Sequence, residues 1–141
     1  MTSEIEVRTV NLEKDIGFIF STWLKSYQQS AFVQGIYPEV FYQQHHKAIE
    51  SILKRDNAVG IVAYPKGEPD VLLGYLVGEA GPVPVIHYIY VKGVFRKKGI
   101  AKLLIEASLL PIGSSFFTHW TYVVNLLIKK APGLKYDPYR L

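Results

Sequence analysis

The sequence contains no cysteine, which excludes a disulfide framework, a thiolate metal site and a cysteine nucleophile. It also has no long apolar run, since no uninterrupted stretch approaches the roughly 20 residues that a membrane helix needs. Residues 1–8 carry acids where a secretory signal would carry bases, so we expect no targeting segment there. These absences predict a soluble, cytoplasmic protein.

Two common phosphate-binding motifs are missing as well. The chain has no Gly-x-x-x-x-Gly-Lys-Ser/Thr loop and no Gly-x-Gly-x-x-Gly after its first predicted strand. What is present is a chain of 141 residues of which 49% are hydrophobic, which is incompatible with intrinsic disorder. A chain of this length predicts one domain, residues 1–141.

The positive charge of the chain is local. The formal net charge is +4, but five bases and no acid fall within residues 92–102. Outside that window eleven bases face twelve acids, so the remainder is close to neutral. A surplus confined to one segment argues against a diffuse nucleic-acid-binding surface. A nucleic-acid-binding module that uses Lys92–Lys102 stays open as the weakest of the functional hypotheses.

The hydrophobic periodicity predicts the order β-α-α-β-β-β-α-β-α-β, a mixed α/β fold. Asn11 is the expected N-cap of the first helix, and Pro38 opens the second. The predicted elements are strand Glu4–Val10, helices Leu12–Gln28 and Pro38–Arg55, strands Ala58–Tyr64, Val71–Val77 and Val83–Val91, helix Ile100–Ala107, strand Ser115–Tyr122, helix Val123–Lys130 and strand Leu134–Leu141.

The most informative segment is the turn between the fourth strand and the third helix. It reads Arg96-Lys97-Lys98-Gly99-Ile100-Ala101 and leads directly into the helix. Bases at a helix start oppose the helix dipole, and the first backbone N–H groups there have no partner within the helix. Both features are explained if an anion binds at this turn, where small residues let a phosphate approach the backbone. The segment therefore predicts a pyrophosphate site.

This turn, together with the element order, resembles the GNAT superfamily of N-acetyltransferases, whose acetyl-CoA site carries Arg/Gln-x-x-Gly-x-Gly/Ala. The preceding Tyr90-Val91 also matches the usual end of the family's fourth strand. The resemblance implies a central mixed sheet with helices on both faces. It also implies acetyl-CoA as co-substrate and direct attack of an amine on the acetyl carbonyl.

The resemblance also implies roles for individual residues. The backbone of Tyr90 and Val91 would pair with the pantetheine arm of CoA, and the thioester would lie where the fourth and fifth strands separate. The amides of residues 97–101 would hold the pyrophosphate, with Arg96 and Lys98 near the phosphates. Asn125 lies roughly where family members contact the cofactor. The implied cofactor-binding set is Tyr90, Val91, Arg96, Lys97, Lys98, Gly99, Ile100, Ala101 and Asn125.

The sequence departs from the family pattern near its end. Many members place a Tyr in the helix after the fifth strand to protonate the CoA thiolate, and the corresponding position falls near Lys129. Tyr122, at the start of that helix, is the alternative acid. The family's seventh strand is expected to be missing, which predicts either a truncated sheet or one completed by a partner chain. Dimers are common in the family, and a homodimer stays an open expectation.

Three residues near the acceptor side are base candidates: Glu79, His87 and Tyr88. Alternation places His87 on one strand face with Ile89, which favours a hydrogen-bonded core histidine over a catalytic one. We expect no metal site, because no His/Glu partner at i, i+4 accompanies the adjacent histidines at 45–46 or His119. The family's acceptor pocket implies further lining residues, namely Tyr27, Phe32, Tyr37 and Tyr42.

The sequence thus predicts an acetyl-CoA-dependent N-acetyltransferase that acts on an amine of a small molecule or a peptide. Two expectations go with it: no nucleic acid and no membrane as partner. The principal alternative is a non-catalytic module of the same fold that binds CoA or a partner protein. The missing Tyr and the short C-terminal region motivate that alternative.

Overall fold

The computed structural model describes residues 4–29, 35–96 and 99–140. Within them a six-stranded mixed sheet has α-helices on both faces, which confirms the predicted fold class and element order. The elements are β1 (Ile5–Thr9), α1 (Leu12–Gln28), α2 (Pro38–Leu53), β2 (Ala58–Pro65), β3 (Gly74–Glu79), β4 (Val85–Val91), α3 (Ile100–Ser108), β5 (Phe116–Phe117), α4 (Tyr122–Lys130) and β6 (Lys135–Tyr136).

The strands lie in the sheet in the order of the sequence. The first four are antiparallel neighbours, as their short connections predict. The pairs β4–β5 and β5–β6 are parallel, and each is connected through a helix. The parallel part therefore begins where the chain crosses from β4 through α3 to β5.

Two hydrophobic cores lie on opposite faces of this sheet. The first packs α1 and α2 against β2, β3 and β4, and its fully buried members include Trp23 and Tyr75. The second packs α3 and α4 against the other face, with Leu104 and Phe117 fully or almost fully buried. The sheet thus separates an α1/α2 side from an α3/α4 side.

A β-bulge lies in β4 at His87. Val77 pairs with Tyr88 and the next residue, Gly78, pairs with Ile86, so His87 has no opposite residue in β3. An extra residue in one strand breaks the alternation of faces. The prediction that His87 shares a face with Ile89 by simple alternation was therefore based on a regular strand that β4 does not form.

Several predicted boundaries were wrong for local reasons. The strand predicted at Ser115–Tyr122 covers only Phe116–Phe117, because Thr121 caps α4 by accepting from the Val124 N–H and the helix begins at Tyr122. The last strand is limited to Lys135–Tyr136 and is followed by a 3₁₀ turn at Pro138–Arg140.

The remaining boundary errors lie at the ends of predicted elements. The third and fourth strands begin at Gly74 and Val85, two or three residues later than predicted, since the preceding backbone is bent or irregular. The second helix ends at Leu53, so Arg55 is free to contact β3. In contrast, Asn11 caps α1 as predicted, and its side chain accepts from the N–H groups of Glu13 and Lys14.

No helix among the described residues is long and apolar enough to cross a bilayer. In the same part of the chain, no three His, Asp or Glu side chains come together as a metal site would require.

Candidate active site

The sheet opens between β4 and β5. These strands pair only at Val85–Phe116 and Ile86–Phe117, and the Thr118 N–H then donates to the Ile86 carbonyl. Beyond this point no backbone hydrogen bond joins the two segments among the residues that the structure describes. The rest of β4, as far as Val91, continues beside β3 alone, so one edge of its backbone faces the opening.

The register of β3 and β4 shows which backbone groups face that opening. The Lys92 N–H donates to the Leu73 carbonyl, which makes Val91 and Gly74 a non-hydrogen-bonded pair. The N–H and C=O of Val91 therefore point away from β3, whereas those of Tyr90 point towards it. The Val91 carbonyl accepts from Nε of Arg96 at 3.2 Å, so its N–H is the group left for a ligand strand.

A cavity of about 930 Å³ lies on the α3/α4 side next to this opening. Its walls come from the end of β4, the turn after it, one side of α3 and one face of α4. Of the predicted cofactor residues, it is lined by Val91, Arg96, Gly99, Ile100 and Ala101. This brings the predicted backbone-pairing and phosphate-binding segments to one cavity.

Gly99 is the N-cap of α3 and has φ of +79°, a left-handed conformation that glycine adopts without strain. Apart from its chain neighbours and the backbone of α3, no heavy atom of the described residues lies within 4 Å of where its Cβ would be. The first turn of α3 contains no acid. Among the residues that the structure describes, the cavity wall carries the cations Arg96, Lys102 and Lys130 and one carboxylate, Glu106. The charges and the free helix N–H groups suit a ligand with several phosphates.

Two of the remaining predicted cofactor residues, Lys97 and Lys98, fall outside the described residues. The ring of Tyr90 lies on the α1/α2 side, where it packs against Phe18 and Tyr75. Asn125 is not in the cavity wall, and its Oδ1 accepts a hydrogen bond from Trp120. Lys97, Lys98 and Asn125 stay predictions as cofactor contacts. The predicted pairing of the Tyr90 backbone with the pantetheine arm does not fit the register, because its N–H and C=O point towards β3.

Tyr122, the predicted alternative acid, does line the cavity, from the first turn of α4. Its side chain is exposed, so its hydroxyl can turn towards a ligand in the cavity. Lys129, the position that the family pattern assigns to a Tyr, is not among the lining residues.

The base candidates Glu79 and His87 are hydrogen-bonded to each other. Nε2 of the fully buried His87 lies 2.5 Å from Oε2 of Glu79, and NH1 of Arg55 lies 2.5 Å from the same oxygen. Burial opposes ionisation of Glu79, but the hydrogen bonds from His87 and Arg55 outweigh it, so the pKa of this carboxyl lies below its ordinary value. Burial also lowers the pKa of His87, and Glu79 offsets this only in part. The pair is therefore a carboxylate and a neutral imidazole near neutral pH.

A chain of hydrogen bonds continues from His87 into β5. Nδ1 of His87 lies 2.9 Å from Oγ1 of Thr118, and this hydroxyl lies 2.8 Å from Nδ1 of His119. The ring of His119 is buried on the α1/α2 side, in edge contact with Trp23 and Tyr27. Burial lowers the pKa of His119 to about 3.

The other predicted residues of the acceptor side are more dispersed. Tyr88 is buried and shares a hydrogen bond of 2.6 Å with Ser26, and burial raises its pKa. Tyr27 is buried in the α1/α2 core, and burial raises its pKa to about 12. Tyr37 and Tyr42 are exposed, and Phe32 lies outside the described residues.

Two participants in this arrangement, Thr118 and Arg55, were not predicted as site residues. Thr118 was assigned only to a strand, and Arg55 only to a helix terminus. Each meets its partner across a long separation in sequence, 31 residues from Thr118 to His87 and 24 from Arg55 to Glu79. No local pattern marks such a pair.

The fold and the site together define a class of protein with a split parallel strand pair beside a cavity and a helix start, an arrangement that suits an extended, phosphate-bearing ligand. A family model described as "Acetyltransferase (GNAT) family" matches residues 19–109 of the chain. Because the match spans more than half of the sequence, the chain belongs to this family, and the predicted resemblance is confirmed. No curated protein matches the chain in sequence.

Solved structures with the same fold come from several bacteria and an archaeon. A candidate acetyl transferase from Pyrococcus furiosus has 23% identity and a TM-score of 0.56 over 74% of this chain and 72% of its own. A candidate GNAT-family acetyltransferase from Staphylococcus aureus has 23% identity and a TM-score of 0.54, covering 72% and 85%. The aminoglycoside antibiotic 6′-N-acetyltransferase from Acinetobacter haemolyticus has 15% identity and a TM-score of 0.54, covering 94% and 78%. At these identities the likeness establishes the fold.

Proposed function

We propose that this protein is an acetyl-CoA-dependent N-acetyltransferase that transfers the acetyl group directly to an amine. The observation that carries the proposal is the opening between β4 and β5 beside a cavity of about 930 Å³ at the start of α3. Membership of the acetyltransferase family supports the reaction type. The acceptor is an amine of a small molecule or a peptide.

On the cofactor side, each part of the cavity has a distinct role. The free N–H groups in the first turn of α3 and the side chain of Arg96 would hold the pyrophosphate. The Val91 N–H would pair with the pantetheine arm in the manner of an added strand. Acetyl-CoA supplies the activated acyl carbonyl, and the cavity directs the arm towards the opening in the sheet.

On the acceptor side, the buried groups beyond the opening prepare the amine. An ammonium must lose a proton before it can attack a carbonyl, so a base is needed near the point where the strands separate. Glu79 and His87 lie next to that point and are the predicted groups for this task. Tyr122 lies on the cavity side, where a proton donor for the departing thiolate is needed. A cytoplasmic location suits a consumer of acetyl-CoA and stays a prediction.

The test is release of CoA thiol from acetyl-CoA in the presence of a panel of amines: polyamines, aminoglycosides, amino acids and peptides with free N-termini. The proposal predicts turnover with at least one class of amine, together with mass-spectrometric detection of the acetylated product. Acetyl-CoA binding without turnover by any amine would instead support the non-catalytic alternative. Absence of acetyl-CoA binding would contradict both.

A further inference from the structure

The hydrogen-bond chain from Glu79 to His119 has a direction that its donors and acceptors determine. The Glu79 carboxylate can only accept, so Nε2 of His87 carries the hydrogen that lies between them. A neutral His87 then has a bare Nδ1, which must accept from the Thr118 hydroxyl. The competing acceptor for that hydroxyl, the His87 carbonyl, is more distant at 3.5 Å.

The Thr118 hydroxyl also determines the tautomer of His119. Thr118 has one hydroxyl hydrogen, and it points to His87, so its oxygen accepts from Nδ1–H of His119. A neutral His119 with a hydrogen on Nδ1 has a bare lone pair on Nε2. That Nε2 is buried and has no hydrogen-bond partner within residues 4–29, 35–96 and 99–140. A buried lone pair without a donor is costly, and a proton donor from a ligand would satisfy it.

His119 is also at the right place in the fold. It directly follows Thr118, whose N–H makes the final backbone bond to β4 that the described residues show. Its ring faces the α1/α2 side, opposite the cavity at α3, and lies 5.7 Å from the ring of Tyr88. His119 therefore lies next to the point where the strands separate, on the face of the sheet opposite the cavity.

From this geometry we infer that Nε2 of His119 is the atom that takes the proton from the acceptor amine, and that Thr118 relays a proton onwards to His87. This inference rests on the proposed acetyltransferase function. His119 would be a catalytic residue because it touches the amine, while Thr118 and Glu79 act through their neighbours and are positioning residues.

The transfer balances in protons and charge. The N–H bond of the ammonium breaks, its electron pair stays on nitrogen, and an N–H bond forms at Nε2 of His119. The Nδ1 proton of His119 passes to Oγ1 of Thr118, whose own hydrogen passes to Nδ1 of His87. His87 becomes an imidazolium facing the Glu79 carboxylate, and its Nε2 proton leaves by way of Glu79, which has 12% of its side chain exposed.

Without the relay, the proton would leave His119 as an imidazolium in surroundings that do not stabilise a positive charge. Its surroundings are apolar or neutral, with Trp23 and Tyr27 from α1, His45 from α2, and Tyr88 and His87 from β4. None of these carries a negative charge that would stabilise an imidazolium. His87 does face a carboxylate, although the guanidinium of Arg55 shares it. Moving the proton to His87 therefore places the positive charge beside Glu79, the acid at the end of this hydrogen-bond chain.

The first test needs no activity. Imidazole ¹⁵N chemical shifts distinguish the two neutral tautomers, so NMR of the wild-type protein near neutral pH reports where each proton lies. We expect the Nδ1–H tautomer for His119 and the Nε2–H tautomer for His87. A His119 resonance of the Nε2–H type would overturn the inference whether or not the protein is an acetyltransferase.

The second test compares Thr118→Val with Thr118→Ser in the thiol-release assay. Valine keeps the shape but removes the hydroxyl, and we expect kcat to fall by about 100-fold or more, the usual contribution of acid–base catalysis, with the KM for acetyl-CoA unchanged. Serine restores the hydroxyl and should recover most of kcat. Equal rates for the two variants, with both proteins folded and binding acetyl-CoA, would contradict the relay. A wild type without turnover would instead refute the proposed function and leave the tautomer test to decide the relay.

Discussion

Nε2 of His87 and Oε2 of Glu79 lie 2.5 Å apart at the point where β4 and β5 begin to separate, with His87 buried and Glu79 partly exposed. This contact links the two base candidates that the sequence named independently. It also fixes one end of the hydrogen-bond chain to His119, since an anchored carboxylate can only accept. The positions of the protons on His87, Thr118 and His119 therefore all follow from this pair.

The buried histidines predict a specific dependence of stability on pH. The pKa of His119 falls from 6.5 to about 3 on folding, and that of His87 is also lowered. As the pH falls below 6.5, the unfolded chain takes up protons that the folded chain does not. The contribution of these histidines to the free energy of unfolding is therefore complete above that pH. It decreases as the pH falls towards the folded pKa, by about 1.4 kcal/mol per pH unit for each such histidine.

The matched variant for this prediction is His119→Asn, whose side-chain amide still donates to Thr118 but does not titrate. Urea unfolding between about pH 7 and 5 should show a shallower pH dependence for this variant than for the wild type. The window stays above the range in which Asp and Glu side chains ordinarily titrate. Identical slopes for the two proteins would mean that His119 does not remain neutral in the folded state.

Tyr122 provides a prediction for the cavity side. If its hydroxyl protonates the departing thiolate, Tyr122→Phe should lower kcat by about 10- to 100-fold and leave acetyl-CoA binding unchanged. Tyr139→Phe is the control, because Tyr139 is almost fully exposed and lies outside the cavity wall. An unchanged kcat in Tyr122→Phe would show that Tyr122 is not the proton donor. It would not contradict binding of acetyl-CoA in the cavity.

The surroundings of Gly74 in β3 and Gly17 in α1 predict opposite changes in stability when each is replaced by alanine. A Cβ at Gly74 would lie 2.5 Å from the Tyr90 carbonyl oxygen. Gly74 forms the non-hydrogen-bonded pair with Val91, whose N–H therefore faces the opening. We expect Gly74→Ala to destabilise the fold by about 1–3 kcal/mol through overpacking. Gly17 lies exposed inside α1 with nothing within 4 Å of its Cβ position, so Gly17→Ala should stabilise it by about 0.5–1 kcal/mol.

Chemical denaturation of the two alanine variants checks this pair. A Gly74→Ala protein as stable as the wild type would show that β3 and β4 have room to separate at this position. Its acetyl-CoA affinity should also fall, since a shift of β4 would misplace the Val91 N–H.

The sequence predicted those features that depend on neighbours close in the chain. The Asn11 cap, the helix start at Gly99 and the hydrophobic faces of the helices are all local, and they gave the correct element order. The bulge at His87 was not predicted, because it follows from the pairing of β4 with β3 and not from the composition of β4. The role of Thr118 is likewise tertiary, since its hydroxyl acts only once β5 lies beside β4.

The central claim is that the turn before α3 binds the phosphates of acetyl-CoA, and a pair of variants at Gly99 tests it most directly. Aspartate and asparagine both tolerate the left-handed conformation at this position and have the same shape, so they differ only in charge. Calorimetric titration with acetyl-CoA should give an affinity for Gly99→Asn near that of the wild type. For Gly99→Asp the affinity should be at least about tenfold weaker, because its carboxylate repels the pyrophosphate. Equal affinities for the two variants would contradict the assignment of this site.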